Sequence, residues 1–211
     1  MTPQTLSARP HRPHMSHRKA APEVKRAPQV GKLALRFLPL GGCGEVMRSC
    51  YVYEYGDDIV IVDMGFQFPE ENMPGIDYII PNIEYLIPKR RNIRGVIITH
   101  GHLDHIGAIP HLMEPLGSPI IYTKPLTKGM ILKRQDDFKG TPRPKVELVD
   151  EHSKLKLGVF NIEFFHVNHN IPDSMGVVIK SPAGTVVHTG DWKFDHTPVN
   201  ERPADIERLK Q

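Results

Sequence analysis

From Lys32 onward, short apolar runs alternate with turn-forming residues at a spacing that predicts strands. LALRFLPL, CYVYEYG and DDIVIVDMG come first, the last a β-branched run closing on Asp63 and Gly65, and together they predict a meander. A Pro- and Gly-rich connection, FPEENMPG, leads to IEYLIPKRRN, which predicts a short helix cut by Pro88. GVIIT then reads as a short buried strand that runs straight into THGHLDHIG. IGAIPHLMEPLG predicts a helix starting close to Ile106 or Gly107, so that Pro110 falls in the first turn, where backbone donors lack partners anyway. Further strands are predicted at PIIYT, KVELV, FNIEFFHV, MGVVIKS and GTVVHTG, with a helical stretch near Thr127 to Asp137. Strands predominate and helices cover them, so the pattern predicts an α/β or α+β layered sandwich, without an internal repeat.

Composition divides the chain in two. Residues 1 to 32 hold seven Lys or Arg against the single Glu23, five prolines and almost no large apolar side chain. Such a segment buries too little to offset its ordering entropy and is expected to be a disordered basic arm, with His11, His14 and His17 as solvated side chains. Residues 33–211 form the folded domain, with 20 basic residues against 23 acidic ones beneath an overall charge of +3. Its two cysteines, Cys43 and Cys50, follow no metal-ligand spacing and read as reduced thiols of a cytoplasmic protein. Neither a membrane-spanning apolar run nor a secretory signal is present. Gly42 and Gly44 open a GxGxxG whose third position is Met47, in a stretch that starts no helix, so a dinucleotide site is rejected.

The densest chemistry lies at the end of GVIIT, where His100, His102, Asp104 and His105 fall within six positions. The C-terminal ends of strands in open sheets are where sites usually form. In an extended segment His100 and His102 project to one side, and Asp104 continues that parity; His105 converges only if the chain turns. This spacing suits two adjacent metal sites better than one. Two later strand ends supply further donors, His169 in HVNHNIPDS and Asp191 in VVHTGDWKFD, the latter with Asp195 nearby. His166 and His188 lie inside their strands and read as core side chains, or as partners that steady the ligands from behind.

The stretches IVDMGFQFP, THGHLDHIG, VNHNIPDS and VHTGDWKFD together resemble the metallo-β-lactamase superfamily and, within it, the ribonuclease J family of the β-CASP branch. HxHxDH alone marks the superfamily, which includes thioesterases, lactamases and nucleases; NHxIPDS followed by HTGDxKFD is more selective. The resemblance implies an αββα sandwich. It implies that His100, His102 and His169 hold one zinc, that Asp104 and His105 hold a second, and that Asp191 bridges the two, with manganese a possible substitute. Asp63 and His188 would support these ligands through hydrogen bonds. The expected reaction is hydrolysis of an RNA phosphodiester, exonucleolytic or endonucleolytic, by a hydroxide shared between the metals, with Asp104 and Asp191 as the catalytic carboxylates. A complete protein of this kind is expected to be a homodimer or homotetramer.

Two positions depart from the family pattern, Met47 where glycine is usual and Asn170 where serine is usual. The first puts a tight loop conformation in question; the second keeps a small polar side chain. The chain also stops 20 residues beyond Asp191, before the β-CASP insertion and the last ligand histidine, so residues 33–211 are expected to be an incomplete metallo-β-lactamase domain that is inactive alone. Lys89, Arg90, Arg91 and Arg94, and seven Lys or Arg between 124 and 145, are basic stretches whose charge by itself does not establish RNA contact. A small-molecule metallohydrolase on the same scaffold, or a fragment that binds RNA without cutting it, is the alternative reading.

Overall fold

The computed structural model of the chain describes residues 34–210; the basic arm lies outside the described residues. Three antiparallel strands open the fold, β1 (Arg36–Gly41), β2 (Cys50–Tyr55) and β3 (Asp58–Val62), as the alternating runs predict. The sheet then changes character. β4 (Ile93–Ile97), β5 (Ile121–Thr123) and β6 (Val146–Leu148) add in parallel, giving six strands in sequence order. Parallel neighbours need crossovers, which are supplied by the segment ending in a 3-10 helix (Ile87–Asn92), by α1 (Leu103–Ile106) with α2 (Ile109–Leu112), and by α3 (Pro125–Gln135). A second sheet, wholly antiparallel, runs in the order β10 (Gly184–His188), β9 (Met175–Ser181), β8 (Phe160–His166), β7 (Lys154–Leu157).

The two faces of the first sheet bury different partners. Ile59, Ile61, Val96, Ile98 and Ile121 turn towards Leu86, Ile106, Ile109, Leu112 and Ile131 beneath the helices. Val60, Val62 and Ile97 turn the other way and meet Phe160, Ile162, Phe164, Val177 and Ile179 of the second sheet. β3 is therefore apolar on both faces, which is why IVIV reads as a continuous run rather than as an alternating one. Each fully buried aliphatic or aromatic side chain contributes about 1.5–3 kcal/mol. On the outer face of the second sheet lies a 3-10 turn (Ile206–Lys210), whose Arg208 donates to the carbonyl of Phe164 at 2.7 Å. The layers are thus helices, sheet, sheet and the start of an outer helical layer, as the αββα expectation requires among the described residues.

Two expectations are corrected. The helix after the histidine cluster begins at Leu103, inside the cluster, and is interrupted at Gly107–Ala108 before α2, so Pro110 sits in the first turn of the second short helix. IEYLIPKRRN is helical only from Ile87 and only as a 3-10 turn, because Pro88 occupies its start.

Candidate metal centre

Four loop segments, those that follow β3, β4, β8 and β10, meet where the two sheets come together. Asp63 directly follows β3 and has a left-handed backbone (φ 63°), a conformation that Asp tolerates better than most residues. Its fully buried carboxylate accepts hydrogen bonds from Thr99 N at 2.8 Å, from Thr99 Oγ1 at 3.0 Å and from His105 Nδ1 at 2.8 Å. Burial alone would raise the Asp63 pKa, but the facing His105 overrides it and holds the carboxyl below its ordinary value. A carboxylate at Nδ1 requires the proton there, which directs His105 Nε2 into the cluster. That nitrogen lies 3.5 Å from Asp191 Oδ1 and 3.7 Å from Asp104 Oδ2.

Thr99 also fixes His100, whose Nδ1 lies 3.0 Å from Thr99 Oγ1, leaving Nε2 to face His102 Nδ1 at 3.1 Å. His102 Nδ1 is in turn 3.2 Å from His169 Nε2, and His169 Nε2 is 3.7 Å from Asp191 Oδ2. Asp191 therefore reaches both His105 and His169 with different oxygens. Two groups result, His100 with His102 and His169, and His100 with His105 and Asp191, each with donor atoms within 4.8 Å of one another. Asp104 belongs to neither tight group. Strand parity would put it beside His100 and His102, but α1 has already begun at Leu103, so Asp104 and His105 are consecutive helical residues and Asp104 approaches the cluster from the rim.

The donor chemistry fits a divalent cation. A neutral imidazole carries a single N–H, so His102 Nδ1 cannot satisfy both His100 and His169 by hydrogen bonding. Nitrogens bound to one tetrahedral zinc at about 2.0 Å stand about 3.3 Å apart, and the observed 3.1 and 3.2 Å match that edge. Burial, reinforced by the charge of His105, pushes the His100 pKa down to about 3, so the ring is neutral and able to coordinate. Burial likewise lowers His169. His105 goes the other way: burial pulls it down, yet Asp63 and Asp191 outweigh that and lift it to about 10. The hydrogen bond from His105, with its charge, holds Asp191 at about 2.

The approach of the loops depends on two glycines. A Cβ on Gly65 would lie 1.5 Å from the Asp104 carbonyl oxygen, and Gly190 has φ 60° against Thr99. Met47 and Arg48 take left-handed conformations as well (φ 82° and 57°), so the loop keeps the shape for which glycine is usual and accepts the strain of two side chains. His188 does not join the donors; its Nδ1 meets the Tyr53 hydroxyl at 2.9 Å. His166 Nε2 donates to the Arg202 carbonyl at 2.9 Å, and Asp195 pairs with Lys193, both away from the cluster. Sequence reasoning did not single out Thr99, which organises Asp63 and His100 together, nor Ser49, whose Oγ is 3.5 Å from His105 Nε2. Thr99 lies inside the quoted motif, whereas Ser49 is brought in by tertiary contact alone. Beside the cluster a cavity of about 540 Å³ opens, lined by Tyr51, Tyr53, His105, His188 and Asp191 among others.

The sequence pattern of the metallo-beta-lactamase superfamily matches residues 43–206. Curated relatives include ribonuclease J of Mycoplasma pneumoniae, 40% identical over 166 residues (79% of this chain, 29% of that protein), and ribonuclease J of Thermus thermophilus, 38% identical over 183 residues (84% and 32%). Ribonuclease J of Corynebacterium glutamicum is 40% identical over 190 residues, covering 90% of this chain and 26% of the relative. The chain thus spans about three tenths of the length of these relatives. Among solved structures, a protein of unknown function from Enterococcus faecalis superposes with a TM-score of 0.60 at 19% identity (76% of this chain, 44% of that one). The metallo-beta-lactamase fold protein YhfI of Bacillus subtilis does so with 0.54 at 21% identity (77% and 65%). These two likenesses concern the fold.

Proposed function

Because the chain belongs to the metallo-β-lactamase superfamily, we propose that it is the metal-binding part of a ribonuclease J-type enzyme that hydrolyses RNA phosphodiester bonds with two zinc ions. The observation that carries this reading is Asp191, whose two oxygens face His105 in one donor group and His169 in the other. Manganese suits the same His and Asp donors. Divalent metal held there would supply Lewis-acid stabilisation of the phosphoryl oxygens and lower the pKa of attacking water.

The chain's own residues set up that chemistry. His100, His102 and His169 would hold one ion, and Asp104, His105 and Asp191 the other. Asp63 and Thr99 keep His100 and His105 with their lone pairs turned inward. Asp104 and Asp191 concentrate negative charge at the mouth, their side chains 26% and 46% exposed, so an approaching phosphate is repelled until cations fill the cluster.

The second donor group within this chain has one imidazole of its own and two partly exposed carboxylates, so the isolated 211 residues would bind its ion weakly and cleave RNA poorly. The complete enzyme would be a homodimer or homotetramer. Cys43 and Cys50 are both free thiols, in keeping with a cytoplasmic protein. No helix among the described residues is long and apolar enough to cross a membrane.

The test is metal content and cleavage of a 5′-monophosphorylated RNA by the complete protein. Two metals per chain, and a loss of at least a hundredfold in rate for a folded Asp191→Ala variant, are expected. Full cleavage by that variant would remove the bridging role, and hydrolysis of small esters in place of RNA would favour a small-molecule hydrolase.

A further inference from the structure

We propose that Trp192 and Phe194 form a stacking platform for an unpaired nucleobase of the strand whose phosphate enters at Asp191; the proposal rests on the ribonuclease reading and adds to it a contact that selects single strands. The two rings lie 4.5 Å apart between centroids at an interplanar angle of 52°. Phe194 is 65% exposed, so a large aromatic face is left to water three residues after the carboxylate that joins the two donor groups. An exposed phenylalanine ring laid against a half-buried tryptophan leaves a continuous aromatic surface open to a partner.

Position and charge say what covers it. Three residues of extended chain separate Phe194 from Asp191, about 10 Å at most, so a base flanking the phosphate at the cluster comes within reach of the rings. Lys193 stands between the two aromatics with its side chain 55% exposed, and it is held at 3.0 Å by Asp195, a carboxylate that a phosphate can replace. Aromatic faces interleaved with a cation match a single strand, whose bases are free to stack and whose backbone is anionic. A duplex offers no free base face. The platform is also anchored: Lys193 N donates to the Asn168 carbonyl at 2.9 Å, next to His169, so the rings and the donor cluster share one rigid backbone pairing.

Trp192 is the only tryptophan in the chain, which makes the contact directly visible. The 211-residue chain, in excess zinc because the bare cluster repels phosphate, is titrated with a cleavage-resistant phosphorothioate single-stranded hexaribonucleotide and with a blunt, fully paired duplex of the same backbone. Tryptophan fluorescence and the anisotropy of a labelled strand are followed together. Saturable quenching by the single strand is expected, with much weaker quenching by the duplex. Phe194→Leu should weaken binding about 5- to 150-fold, the range associated with one stacked base, with its unfolding midpoint unchanged; Phe194→Tyr should retain affinity within about threefold. Equal quenching by both RNAs, binding without quenching, or wild-type affinity in Phe194→Leu would each overturn the platform. Absence of binding by either signal would also overturn it, while the ribonuclease reading would still stand or fall on metal-dependent cleavage.

Discussion

Replacing Asp63 by Asn probes the centre without touching a donor. The left-handed backbone at this position suits Asn as well as Asp, and the volume is unchanged, so packing is preserved. What changes is the direction of one hydrogen bond. The carboxylate accepts from Thr99 N, Thr99 Oγ1 and His105 Nδ1, but an amide whose oxygen stays with Thr99 turns its NH₂ towards His105. His105 must then accept at Nδ1, which places the proton on Nε2, the nitrogen facing Asp191 and Asp104. A protonated nitrogen cannot coordinate. Losing such a supporting partner typically lowers metal affinity about 10- to 100-fold, or about 1.4–2.8 kcal/mol.

The metal-free protein should lose stability too. The bond between His105 and Asp63 is charge-assisted and buried, worth about 1.5–3 kcal/mol, which for a domain of this size is about 3–12 °C in midpoint. Its pH dependence has a definite sign. His105 is raised to about 10, so the stabilisation is complete below its ordinary value of 6.5 and is lost as pH rises through about 10. The gap in midpoint between parent and Asp63→Asn should therefore be widest near pH 6 and close above pH 10. Competition with a chromophoric chelator measures the affinity, and thermal unfolding with chelator present measures the gap. Unaltered metal affinity in a folded variant would refute the tautomer argument, and a gap independent of pH would show that the loss is one of packing.

Three further outcomes are expected. Met47→Gly relieves a left-handed backbone in an exposed loop and should raise stability by about 0.5–1 kcal/mol in urea unfolding, metal affinity being unchanged. Metal binding at pH 8 should release about one proton per chain, because His105 is protonated when metal-free and must be neutral to coordinate; calorimetry in two buffers of different ionisation enthalpy counts it. Deleting residues 1–30, which lie outside the described residues, should leave the unfolding midpoint within a few degrees, and RNA binding should become weaker and less salt-dependent if the arm neutralises phosphates.

How far the fold could be read from the sequence depended on where each signal was local. β2, β3, β8 and β9 are runs of β-branched and aromatic residues, and their burial pattern can be read directly from the letters. β7, with the sequence KLKL, was missed because lysine is a poor strand former; it is an edge strand, where lysines face water and discourage further pairing. The switch from antiparallel to parallel pairing after β3 has no local signature, since it is set by the crossovers. The start of α1 at Leu103 was hidden by the histidines themselves, which carry no strong helical preference.

The donor cluster follows the same division. Residue types and strand-end positions picked out His100, His102, His105, His169 and Asp191, because converging donors must be unusual in a core that otherwise rejects them. Their mutual distances could not be read, since they depend on how the two sheets join. Met175 N donates to the Thr99 carbonyl at 3.1 Å, tying the second sheet to the residue that holds Asp63 and His100. His169 and Asp191 ride on the second sheet, His100 to His105 on the first, so any shift between the sheets moves one half of each donor group against the other. A cation bound across that seam resists such a shift, and at a hundred times its dissociation constant adds about 2.7 kcal/mol to stability. Metal affinity and inter-sheet packing are consequently one quantity seen from two sides: a core substitution such as Phe164→Ala, between the sheets, should weaken metal binding although it touches no donor.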